Sequence, residues 1–308
     1  MKEMLSVTSS PHIRHIDTTR GIMGDVIIAL CPAAVYGCIL FGWYAAVLLA
    51  VCILSCVGAE YLWNLLLKKP QTVGDLSAVV TGLLLGMNLP AKLPVWMAVI
   101  GSVVAIIVVK QMFGGIGHNF VNPAIAARIV LMVSFPSFMT KFYEPFSGVV
   151  ASATPLAATA DVVPSVRYLF FGMHSGCIGE TSAFLLLLGG LYLILRRVIN
   201  PFVPICFIGA FALITWATGG NVGTQLFSGG LFLGAIFMAT DYTTSPSTPI
   251  GTILFGIGCG LLTFVIRRFG SLPEGVSYSI ILMNILVPHI DRLTAFKPFG
   301  AKEVAKNE

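Results

Sequence analysis

Charge is what this sequence has least of. Only 10% of its 308 residues are Asp, Glu, Lys or Arg, against 56% hydrophobic residues and a mean hydropathy of +0.92. An ordinary soluble domain carries about 25% charged residues, so that class is excluded and a polytopic membrane protein is expected. The fingerprints of soluble enzymes are also missing: no phosphate-binding loop, no H-E-x-x-H, no G-x-S-x-G, and no glycine-rich dinucleotide turn between a strand and a helix. The seven cysteines (31, 38, 52, 56, 177, 206 and 259) form no C-x-x-C pair. They read as small packed hydrophobes, not as disulfides, metal ligands or iron–sulfur ligands. The five histidines lie near the ends of apolar runs, where solvation or capping explains them better than metal binding. Residues Met1 to Arg20 lack the pattern of a secretory signal. Nothing in the sequence points to nucleic acid.

What is present is repeated. Gly21-Ile-Met-Gly24-Asp25 opens one apolar run, and Gly176-Cys-Ile-Gly179-Glu180 opens another. Lys110-Gln-Met-Phe113-Gly114 is echoed by Ile266-Arg-Arg-Phe269-Gly270. Apolar runs fall at 22–41, 43–67, 76–90, 94–113, 119–136, 180–199, 201–218, 226–240, 249–266 and 275–290. Read by hydropathy, these are about ten transmembrane helices. Five per half is an odd number, so the expected fold is an all-α bundle of two inverted five-helix repeats. The third run of each half is short and glycine-rich, which suggests interrupted helices at a binding site or simply thin helices packed through small residues.

The expected organisation follows from those runs. Residues 1–21 form a cytoplasmic N-terminal segment, 22–136 the first repeat, 137–175 an extracytoplasmic loop, 176–291 the second repeat and 292–308 a cytoplasmic tail. With both termini inside, most lysines and arginines face the cytoplasm, as the positive-inside rule requires. Arg267 and Arg268 do not fit, because this arrangement leaves them outside. Either inverted symmetry puts them there, or one short segment is re-entrant and the count is nine.

Acids and amides inside apolar runs are costly and so point to function. Asp25, Glu60, Glu180 and Asp241 are the candidates for ion coupling; each could instead neutralise Arg128 or a lysine, and the sequence does not pair them. The stretch from Phe113 to Ala124 contains Gly114, Gly115, Asn119, Asn122 and Pro123. Its glycines permit an unwound backbone, its amides offer donors and acceptors, and Pro123 can start a helix. Around Asp241, Thr240, Thr243, Thr244 and Ser245 add hydroxyls that, with the carboxylate, suit Na⁺ or a proton relay.

Taken in order, Ser10-Pro-His-Ile-Arg14, the 113–128 segment, Ser152-Ala-Thr-Pro-Leu-Ala157, Gly176-Cys-Ile-Gly-Glu-Thr-Ser182, Phe237-Met-Ala-Thr-Asp241, Glu274-Gly-Val-Ser-Tyr278 and Met283-Asn284 resemble the RnfD/NqrB family over nearly the whole chain, its RnfD branch more closely. The resemblance implies a flavin-carrying membrane subunit, not catalytic alone, of an ion-translocating oxidoreductase in the bacterial inner membrane. Such a machine couples electron transfer between ferredoxin and NAD to Na⁺ or H⁺ transport. It further implies FMN attached through its phosphate to Thr154 by a separate flavin transferase. Here Ala151-Ser152 stand where Ser-Gly is common in the family, and Ser147-Gly148 where Asp-Gly is common. A second, non-covalent flavin (riboflavin) is implied in the membrane. On local chemistry, Gly114, Gly115, Asn119 and Asn122 are the candidates for part of its pocket. Partner subunits with iron–sulfur and flavin centres would supply and remove the electrons. The competing class is a small-solute or ion channel or carrier of inverted-repeat fold without redox chemistry.

Overall fold

The computed structural model describes residues 18–150, 156, 165–270 and 275–295. These are almost wholly helical. Extended pairing is confined to isolated bridges, such as Tyr143 with Val150 and with Gly176.

Helix α1 (Thr19–Phe41) starts where Thr18 Oγ1 accepts from the Gly21 amide, and it ends at Gly42. That glycine has φ of +84°, which only a residue without a β-carbon adopts easily. It is the entire connection to α2 (Trp43–Leu66). Helix α3 (Ser77–Met87) is buried along nearly its whole length and lies against α2. The close approach is set by Gly82: a β-carbon there would sit 2.7 Å from Ile53 Cα and 2.8 Å from the Cys52 carbonyl. Helix α4 (Val95–Val103) widens into a π-helical stretch, Val104–Gln111. Helix α5 (Pro123–Ser134) opens with Asn122 as cap and Pro123 in its first turn. Two short helices follow, α6 (Pro136–Met139) and α7 (Val166–Phe171).

The remaining helices are α8 (Ala183–Leu195), α9 (Phe202–Ala217), α10 (Val222–Phe227) and α11 (Leu231–Leu233), the last running into a second π stretch, Gly234–Met238. They are followed by α12 (Pro249–Phe269) and α13 (Val276–Thr294). One apolar core joins these elements, with α1 packed on α8 and α9 on α12.

This architecture corrects the expectation of about ten transmembrane helices in two inverted five-helix repeats. Among the described residues, three helices are long and apolar enough to cross a membrane: Thr19–Phe41, Trp43–Leu66 and Pro249–Phe269. Five other apolar helices, Ser77–Met87, Val95–Gln111, Pro123–Ser134, Ala183–Leu195 and Phe202–Ala217, are only 10–17 residues long. At 1.5 Å per residue these fall short of the roughly 20 residues that a hydrocarbon core of about 30 Å demands. The physical reason is that hydropathy counts side chains and ignores the path of the backbone. Asn88-Leu89-Pro90 ends α3, Gly219 ends α9, and Ser228-Gly229-Gly230 breaks the 226–240 run between α10 and α11. The apolar character continues through each break while the helix does not. The third helix of the first half is also uninterrupted, since α3 runs straight from Ser77 to Met87.

Replacing Gly82 by Ala forces α2 and α3 apart at backbone contact. It should lower the stability of the detergent-solubilised chain by about 1–3 kcal/mol, read from its thermal melt.

Candidate functional site

A cavity of about 400 Å³ lies where α1, α3, α5 and the second π stretch converge. Its walls are largely apolar, with Ile22, Val26, Leu84 and Phe237, and its polar lining includes Asn119, Asn122, Asp241 and Lys110. Local backbone chemistry builds that lining. Asn122 Oδ1 accepts from the amides of Ala124 and Ile125, capping α5, while its Nδ2 donates to the Met238 carbonyl at 3.2 Å. The π stretch makes that carbonyl available. Its Ala239 amide bonds five residues back to the Gly234 carbonyl, so the register slips by one and carbonyls at its end can turn outward.

Asp241 follows immediately. Its Oδ2 accepts from the hydroxyls of Thr243 (3.1 Å) and Thr244 (3.2 Å), and Thr243 also donates to Asn119 Oδ1 at 3.2 Å. Desolvation pushes the Asp241 carboxyl above the ordinary carboxylate range, and the donors Thr243, Thr244 and Asn119 pull against that shift.

The structure therefore brings Asn119, Asn122 and Asp241 together, as the sequence allowed, but leaves Gly114 and Gly115 off the cavity wall. Those two glycines, at φ of +121° and +95°, turn the chain out of the π stretch, while Ile116 and Gly117 face the cavity in their place. Thr154 lies outside the described residues.

The other three acids each have a cation. Glu60 on α2, with no exposed surface, accepts from Lys110 Nζ at 2.8 Å. The same ammonium donates to Ser77 Oγ at 2.6 Å, at the start of α3. Thr72 donates to the second oxygen of Glu60, and Asp75 accepts from the Ser77 amide at 2.8 Å. One buried pair thus ties α2, α3 and the first π stretch together and places Lys110 at the cavity wall. Glu180 meets Arg128 at 3.0 Å, both almost fully buried, and Arg128 also donates to Asn88 Oδ1 at 2.6 Å. Asp25 pairs with Arg196 at 3.2 Å and accepts from the Tyr192 hydroxyl at 2.8 Å, joining α1 to α8 at a more exposed site. Among the described residues, Asp241 is the one of the four acids held by hydroxyls without a cation.

Sequence reasoning missed Lys110, Ser77 and Asn88. Lys110 was visible as a cation ending an apolar run, and Asn88 as an amide ending another, but neither carries a local pattern that names its partner. A further amide bond repeats the Arg128–Asn88 spacing: Asn284 Nδ2 donates to the Thr244 carbonyl at 2.7 Å, and both links span 40 positions. Among the described residues, no group of three or more His, Cys, Asp or Glu side chains is placed to hold a metal ion.

Removing one partner of a buried pair strands the other. Glu60→Gln should cost about 3–5 kcal/mol in thermal unfolding, and Glu60→Leu with Lys110→Met should recover most of that loss.

The family of this chain is evident from sequence comparison. Residues 6–300 match the family described as NQR2, RnfD, RnfE. A component of the Na⁺-translocating ferredoxin:NAD⁺ oxidoreductase complex of Acetobacterium woodii is 48% identical, covering 98% of this chain and 97% of its own length. The corresponding component of the proton-translocating ferredoxin:NAD⁺ oxidoreductase complex of Clostridium ljungdahlii is 42% identical, with 98% of each chain covered. A component of an ion-translocating oxidoreductase complex of Stutzerimonas stutzeri is 38% identical over 91% of each. With a match over almost its full length, the chain belongs to the NQR2, RnfD, RnfE family.

Proposed function

We propose that this chain is the flavin-carrying membrane subunit of an ion-translocating oxidoreductase, working within a complex that couples electron transfer between ferredoxin and NAD to the movement of Na⁺ or H⁺. The observation that carries the reading is near-complete alignment, at 48% and 42% identity, with components of two complexes named for that reaction. The chain has no cysteine pattern for an iron–sulfur cluster and no nucleotide-binding domain, so partner subunits must deliver and accept the electrons.

In this reading Thr154 carries FMN as a phosphoester, installed by a flavin transferase on an extracytoplasmic loop, with both chain termini in the cytoplasm. Bound flavin supplies the electron-carrying chemistry that no amino-acid side chain here provides. The 400 Å³ cavity fits a second, non-covalent flavin in size and lining, being within the roughly 300–1,000 Å³ of small-molecule sites. Apolar walls at Leu84 and Phe237 would take a ring system, and the amides of Asn119 and Asn122 would meet its polar edge.

Ion coupling is best assigned to Asp241. Asp25, Glu60 and Glu180 are each neutralised by a cation, whereas Asp241 is surrounded by hydroxyl oxygens at the cavity wall. A carboxylate with hydroxyls suits either ion, and the two relatives are named for different ones.

Expressed in a host with its flavin transferase and run on a denaturing gel, the chain should show flavin fluorescence that Thr154→Ala abolishes. A dark wild-type band would overturn the flavin assignment and favour a channel or carrier, testable by solute uptake in liposomes. Asp241→Asn should keep the fluorescent band and lose most redox-driven ion transport in vesicles; undiminished transport would exclude Asp241 from coupling.

A further inference from the structure

His174 has a setting that its place near the end of an apolar run does not suggest. Solvation or capping is the expectation there, yet the residue keeps only 4% of its surface exposed, and it does not line the cavity. It sits in the segment between α7 and α8, which folds back onto the end of α3. The Ile178 and Gly179 amides donate to the Leu89 and Met87 carbonyls at 3.2 and 2.7 Å. Gly172, at φ of +93°, leaves room for the Thr181 carbonyl, which a β-carbon would meet at 2.4 Å. Backbone contacts thus hold the imidazole inside the protein.

The polar groups that act on the ring are acceptors. Nδ1 lies 3.1 Å from the Ser175 carbonyl, and the Glu180 carboxylate and the Thr181 carbonyl add to it. Nε2 is buried and makes no hydrogen bond among the described residues. A neutral imidazole has one N–H and one bare lone pair, whereas the protonated ring has two donors. Donation from Nδ1 to Ser175 leaves that lone pair on Nε2, and proton uptake converts it into a donor among acceptors. Burial pushes the imidazole below the ordinary histidine range, while the Ser175 carbonyl, Glu180 and the Thr181 carbonyl pull it back up.

Glu180 is the charged group that acts on this ring, with Arg128 behind it. A β-carbon on Gly176 would lie 3.7 Å from His174 Cε1 and 3.9 Å from Glu180 Oε2, both ordinary contacts. Ring and carboxylate therefore border the same small space. The other oxygen, Oε1, meets Arg128 Nη1 at 3.0 Å, and Arg128 donates to Asn88 Oδ1 at 2.6 Å. Asn88 stands one helical turn beyond Leu84 of the cavity wall and donates to its carbonyl at 2.8 Å.

We propose that His174 and Glu180 form a proton-binding site, and that proton uptake there loosens the grip of Glu180 on Arg128. The step is a proton transfer from water to Nε2, with no oxidant or reductant. While the ring is neutral, the carboxylate serves Arg128 alone. Once the ring is charged, one carboxylate faces two cations that repel each other, and its hold on the guanidinium weakens. Arg128 then leans more on Asn88, and the change reaches the end of α3 beside the cavity.

The test follows the NMR shifts of isotope-labelled histidine in the full, detergent-solubilised chain from about pH 8 to about pH 5. Wild type is compared with His174→Gln, which removes one resonance and so identifies it, and with Gly176→Ala, which adds a methyl beside ring and carboxylate and removes neither charge. The expected His174 resonance titrates at lower pH than the exposed His118 and His289, and at still lower pH in Gly176→Ala, because added apolar surface disfavours the charged ring. A His174 resonance that stays constant over this range, or a midpoint that Gly176→Ala leaves in place, would overturn the site. Should His174→Gln fail to fold, Gly176→Ala decides alone: one shifted resonance supports the site and none rejects it. In the assembled complex, redox-driven ion transport should fall as pH drops through that midpoint, and His174→Gln should lose this acid limb. A wild-type profile in His174→Gln would sever the link to Arg128. A wild-type complex without redox-driven transport would reject the functional reading above, and the titration would still decide the proton site.

Discussion

Everything in this molecule is arranged around the cost of placing charge where water is scarce. A lone buried carboxylate or ammonium is untenable, so each one forces a partner into place, and the partner brings its helix with it. Lys110 reaches Glu60 and Ser77 and thereby fixes α2, α3 and the first π stretch relative to one another. Arg128 reaches Glu180 and Asn88, tying α5 to the segment before α8 and to the end of α3. The apolar core supplies most of the contact, but apolar contact is non-directional. The charged pairs specify which residues face which.

The cavity is a product of the same arrangement. It lies between a wall that carries a neutralised cation, Lys110, and a turn that carries Asp241, a carboxylate without a cation among the described residues. Both elements emerge from π-helical stretches, Val104–Gln111 and Gly234–Met238. A single extra residue per turn is enough to change which carbonyls are spent on the helix and which remain for a side chain such as Asn122.

Residue types at the site were legible in the sequence, while pairings and helix lengths were not. Asp25, Glu60, Glu180 and Asp241 stood out because acids in apolar runs are rare. Which of them is neutralised depends on contacts such as Glu60 with Lys110, 50 positions away, and no local pattern encodes that distance. Pro123 was readable as a helix start, and α5 begins there. Gly114 and Gly115 drew attention as members of a pocket and act as a turn beside it. The expectation of ten spans failed at Asn88-Leu89-Pro90 and at Ser228-Gly229-Gly230, where hydropathy persists and the backbone leaves the helix. Thr154 could be singled out only by family resemblance, since Ser-Ala-Thr-Pro is an unremarkable string of small residues.

The two buried pairs also share a constraint on when they can form. Lys110 follows Glu60 by 50 positions, and Glu180 follows Arg128 by nearly the same interval, so in each pair one charge is synthesised well before its partner. For Arg128 the earlier Asn88 is already present, and its amide oxygen accepts a hydrogen bond without cancelling charge. A chain cut short between the members of either pair would therefore carry an uncancelled charge among apolar helices, a state that costs far more than the loss of a few apolar contacts.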